Sequence, residues 1–225
     1  MTIESKYKSE YSNLPPLRQA NLSAVLLNPE DKRTGKGKFL AVQRLNDLSV
    51  TMQIARMNLS YSINEENVWK QYVFALNALL WYNACDDYIC QYVYLSEHEH
   101  EITNANYFDT IEKLRGHKLV QLRKNHVDLD WLHGNLEPLR DCANIIKHRM
   151  PILDRSTQKF SVAFLNMTSN LNAQFGFSIV EDSLLSSDVT KQKSYSIEQL
   201  LDLLIASDNI ICNYAEEHLY PQFEP

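Results

Sequence analysis

The chain reads as all-α, a helical bundle of about six or seven helices, and three observations predict it. Glycine is scarce, 5 in 225 residues, while Leu, Asn, Ala, Glu and Gln are plentiful, a balance that favours helices with short links over a turn-rich sheet fold. Apolar residues recur at alternating spacings of three and four through most of the chain, the period of a helix with one buried stripe. Capping residues and prolines stand where those stretches begin and end.

Residues 1–34 read as a loosely structured N-terminal segment and 35–225 as a single bundle domain. Leu14-Pro-Pro-Leu17 and Asn28-Pro-Glu-Asp-Lys-Arg-Thr-Gly-Lys-Gly-Lys38 flank a short apolar patch at Val25 to Leu27. The basic loop Thr34-Gly-Lys-Gly-Lys38 lacks the spacing of a phosphate-binding loop and the Ser or Thr after its lysine, so it reads as surface. From Phe39, residues Ala41, Leu45, Leu48, Met52, Ala55 and Leu59 make one seam and predict a long bundle helix. Asn64 is placed as the N-cap of the next helix, because Glu65 and Glu66 follow it, where the positive end of the helix dipole favours acids. That second helix runs to about Leu95. Val68, Tyr72, Leu76 and Leu79 line one side, and Trp69, Val73, Leu80 and Trp81 widen the apolar surface, so it is expected to be central.

Ser96 to Glu101 is a polar connection, and His98 and His100 diverge on a helix, so no metal site is expected there. Asn106 to about Val127 reads as helix broken near Gly116, and Asp128 to Asn135 as a connection ending in an N-cap. The helix after Asn135 tolerates Pro138 in its first turn and stops before Pro151, with Leu136, Leu139, Ala143, Ile146 and Met150 as its core face. A further helix from about Asp154 would bury Phe160, Phe164, Met167 and Leu171, and residues 181–195 read as loop. Ser196 and Gln199 form a capping-box pattern that opens the last helix, closed by Pro221.

Cys85, Cys90, Cys142 and Cys212 fall inside apolar helical patterns without zinc spacing, and are expected reduced and buried. With no signal-like N-terminus and no apolar stretch of spanning length, the expectation is a cytoplasmic protein with no membrane association. The net charge of −6 argues against nucleic acid, and no motif for sequence-specific DNA binding is present. The charge is uneven, however. Between Lys113 and Lys159 stand ten Lys and Arg against five acids, which leaves the rest of the chain at −11. A positive middle segment can attract an anion, although solvated helix faces account for the same distribution.

That segment contains the helix with the richest chemistry. At about 100° per residue, Arg140, Asn144 and Lys147 share a face and His148 lies at its edge. Arg supplies a planar fork for phosphate, Lys a compact charge and His a proton donor or acceptor near neutral pH. Asn144 and Lys147 are thus candidate phosphate contacts, with Arg140 and His148 as the candidate catalytic pair. These are the side chains that cleavage of an RNA phosphodiester by its neighbouring 2′-hydroxyl requires. The alternative is structural. Asp86 and Asp87 stand in or beside an apolar helix surface, where an unpaired carboxylate is costly, and Arg140 is the cation to pair with them.

Arg140-Asp141 through His148 resembles the active helix of the HEPN superfamily, small all-α dimers that include many ribonucleases and also noncatalytic or nucleotide-binding members. Seven residues separate Arg140 from His148, one more than the family's longest usual spacer. The resemblance implies an RNA or nucleotide partner and Arg140 and His148 as catalytic residues. Neither the residues nor the resemblance asks for a cofactor or a metal. The second reading is a noncatalytic helical dimerisation or protein-interaction module, with Tyr82, Tyr88, Tyr92 and Tyr94 packing a core or homodimer contact between the long helices.

Overall fold

The computed structural model describes residues 3–18, 31–98, 101–102, 106–114, 117–148 and 195–220. Those residues form eight α-helices and no strand: α1 (Ile3–Ser12), α2 (Asp31–Asn64), α3 (Val68–Glu97), α4 (Tyr107–Lys113), α5 (His117–Asn125), α6 (Val127–Asn135), α7 (Glu137–His148) and α8 (Ile197–Tyr214). The last runs on into a single π-helical turn, Ala215–Leu219. The protein is an all-α helical bundle.

The α2–α3 hairpin is its spine. The two helices run antiparallel, as the Tyr61–Phe74 ring contact near the connection and the Arg44 guanidinium over the Tyr88 ring farther along both require. Leu45, Leu48, Met52, Ala55 and Leu59 form the expected seam and are almost completely buried. Each large apolar side chain so buried contributes about 1.5–3 kcal/mol. On α3 the buried face carries Tyr72, Ala75, Leu79, Tyr82, Cys85, Asp86 and Ile89. α8 packs on one side of this hairpin. α5, α6 and α7 pack on the C-terminal half of α3.

Several sequence expectations shift. Ile3–Ser12 lies within the segment expected to be loose, yet it is a helix with Tyr7 buried. The Tyr7 hydroxyl donates to the Glu198 carbonyl and Lys6 pairs with Asp202 at 2.9 Å, which fastens α1 to α8. α2 starts at Asp31 and carries Thr34 to Lys38, placed above as a loop, in helical backbone. The cap of α3 is Asn67, whose side chain accepts from the Lys70 amide, three residues after the expected Asn64. Asn64 instead donates to the Ser60 carbonyl at 2.8 Å. The stretch Asp128 to Asn135, expected as a connection, is the body of α6, because Leu129 and Leu132 bury against the core. Asn135 closes that helix rather than capping the next.

Other expectations stand as read. Leu136, Leu139 and Ala143 are buried and Ile146 packs against the core. Ser196 and Gln199 form a full capping box. All four cysteines are free and buried. The helix expected from about Asp154, and Met150, lie outside the described residues. No helix among the described residues is long and apolar enough to cross a membrane.

Candidate functional site

Asp86 is where the candidate residues meet. It sits on the core face of α3 at 2 % exposure, and a carboxylate cannot remain there without partners. Oδ2 accepts from Arg123 Nη2 at 2.9 Å and from His133 Nδ1 at 2.8 Å. Arg140 Nη1 stands 3.9 Å from the same oxygen and donates to the carbonyl of His133. Each partner is delivered by helical spacing. Arg123 falls one turn past buried Leu119 on α5, and His133 follows buried Leu129 by one turn on α6. Because the carboxylate only accepts, His133 carries a proton on Nδ1.

The sequence pairs Asp86 or Asp87 with Arg140, and the structure separates the two acids. Asp86 holds the cluster together. Asp87 is exposed, with its Oδ1 3.9 Å from Arg123 Nη2. Arg140 is partly buried, and burial pulls its guanidinium below the ordinary value, opposed by the Asp86 charge and reinforced by nearby Arg123. Asn144 is exposed on α7. The side chains of Lys147 and His148 lie outside those described, although both residues belong to α7. Arg123 and His133 were missed as site residues. The available signal was an acid inside an apolar helix face, which demands a cation, together with cations at helical spacing from leucines.

A second buried carboxylate lies one helix turn away along α3. Asp208 on α8 is fully buried and takes two bonds from Arg56, Nε to Oδ2 at 2.7 Å and Nη2 to Oδ1 at 2.6 Å. The Tyr82 hydroxyl adds a third at 2.6 Å, and Cys212 Sγ lies 3.5 Å from Oδ1. Burial pulls the Arg56 guanidinium down, but its bonds to Asp208 and that charge outweigh the effect and raise it overall. Burial raises the Tyr82 hydroxyl, and the Asp208 charge adds to it. Such a site holds charge in place, with its carboxylate closed off from solvent.

An open cleft of about 620 Å³ lies at the C-terminal end of α3, where His126 Nε2 meets Glu97 at 3.0 Å and His218 Nδ1 stands 3.7 Å from Asp128. Among the described residues no group of three or more His, Cys, Asp or Glu could hold a metal ion. No protein-family profile, no curated protein and no solved structure matches the chain.

Proposed function

We propose that the chain is a noncatalytic helical interaction module in which Arg140 is a structural residue. The observation that supports this reading is the engagement of the Arg140 guanidinium, bonded to the His133 carbonyl and 3.9 Å from Asp86. A phosphate-binding arginine presents its fork to the ligand. Here the fork would have to leave a buried carboxylate that Arg123 and His133 already share. With its interior cations engaged in this way, the scaffold is left to act through its outer surface.

The ribonuclease alternative assigns Arg140 and Lys147 to an RNA phosphate and His148 to proton transfer, and one experiment separates the two. Purified protein is incubated with end-labelled RNA of mixed sequence beside Arg140→Ala and His148→Ala, with folding followed by circular dichroism. The interaction-module reading expects no cleavage by the wild type and a lower stability for Arg140→Ala. Cleavage by the wild type that disappears in both folded variants would overturn it.

A further inference from the structure

The outer side of the α2–α3 hairpin is apolar where an isolated bundle would be charged. Val50, Ile54, Met57 and Tyr61 fall within about 60° of one another on α2, opposite its buried seam. Val50, Met57 and Tyr61 are about half exposed, at 49 %, 47 % and 50 %. On α3, Phe74 and Trp81 lie two turns apart on one side, and Trp81 is 39 % exposed. The Tyr61 and Phe74 rings, 5.3 Å apart, join the two helices' strips into one surface.

Charge is missing from the same region. Lys, Arg, Asp and Glu make up 22 % of the chain, yet Gln71 to Cys85 contains none of them. Val50 to Asn64 contains only Arg56, which is bound to Asp208 beneath the surface. Within this strip the exposed polar positions Gln53 and Asn77 are uncharged amides, and the nearest exposed charges, Asp47 and Lys70, stand one turn beyond its ends. Depletion of charge around exposed aromatic and Met side chains is the composition of an interface centre.

We propose that this face seats the same face of a second copy of the chain, which deepens the interaction-module reading and rests on it. The charge pattern selects that occupant. In a two-fold contact every group near the axis meets its own copy, so any exposed charge there faces a like charge. For a chain with net charge −6 a neutral patch avoids that repulsion, and this hairpin supplies one. A partner of different sequence would more commonly be steered by opposite charge. The apolar strip runs about 16 Å along the hairpin, three turns of helix. That is the central patch of a standard interface of about 800 Å² per partner, with Gln53 and Asn77 in its polar rim.

Sedimentation velocity across a concentration series tests this. The variants are Met57→Glu, Trp81→Glu and the milder Gln53→Glu, whose exposed side chain is not part of the core, with Val127→Glu on α6 as a control at 83 % exposure. The wild type and Val127→Glu are expected to sediment as dimers. The three face variants are expected as monomers with unchanged circular dichroism, their dissociation constants raised at least tenfold. Dimers persisting in all three face variants would overturn this face as the interface while leaving the interaction-module reading in place. A wild type that stays monomeric throughout would overturn self-association itself and give the face to a different occupant. Neither result bears on RNA cleavage, which tests the underlying reading separately.

Discussion

Arg56 holds Asp208 through two hydrogen bonds, 2.7 and 2.6 Å long, across a sequence separation of 152 residues. The pair joins the C-terminal half of α2 to α8 with Asp208 fully out of solvent. Breaking one side of such a pair leaves an uncompensated buried charge. Asp208→Ala is therefore expected to cost about 3–5 kcal/mol in urea unfolding, and Arg56→Met with Asp208→Leu together to cost much less. A loss below about 1 kcal/mol for the single change would show that the contact is not a closed ion pair.

Around Asp86 the order of importance is fixed by geometry. Arg123 is 9 % exposed and bonds the carboxylate at 2.9 Å, whereas Arg140 is 21 % exposed and stands 3.9 Å away. Arg123→Ala is expected to cost about 3–5 kcal/mol, and Arg140→Ala about 1–2 kcal/mol from its bond to the His133 carbonyl. Chemical denaturation of the two variants measures the difference. Equal losses, or the reverse order, would contradict this arrangement.

Part of the loss of stability at alkaline pH runs through the buried thiols. Burial pushes Cys90 and Cys212 from 9.0 up to about 12, with the Asp86 and Asp208 charges reinforcing the shift in turn. In the unfolded chain these thiols ionise near their ordinary value, so between about pH 9 and 12 the unfolded state releases protons that the folded state keeps. The contribution is intact below that window and declines as pH rises through it. Each thiol is expected to lower stability by about 1.4 kcal/mol per pH unit there. Urea midpoints at a series of pH values should fall along that slope, more shallowly in Cys90→Ala and Cys212→Ala.

Gly134 offers a change in the other direction. It lies in the last turn of α6, with open space where a Cβ would stand. Gly134→Ala is expected to raise stability by about 0.5–1 kcal/mol, through helix propensity and a less flexible unfolded chain. A lowered melting temperature would mean that the turn needs glycine for another reason.

How much of this was legible beforehand differs by level. The seam from Leu45 to Leu59 and the Ser196–Gln199 cap depend on local spacing, and both appear where that spacing put them. Asp128 to Asn135 looks like a polar link because of Asp128, Asp130, His133 and Asn135, while Leu129 and Leu132 bury one side of it. At the site, Asp86 was recognisable as an acid on an apolar face, but its partners come from two other helices. Arg140 was chosen because it shared a helix with His148, whereas the shortest bonds come from Arg123 and His133. Asp208 carried the same signal, an acid four residues after Leu204 and three before Ile211, and spacing alone could not name Arg56 as its partner.

Tyr82 and Asp86 are one turn apart on α3, and each serves a different carboxylate cluster. The first binds α3 to α8 and α2, the second to α5, α6 and α7. Loosening that turn would release both halves of the bundle together. Amide hydrogens on α8 and on α5 to α7 should then exchange with solvent through one shared opening event.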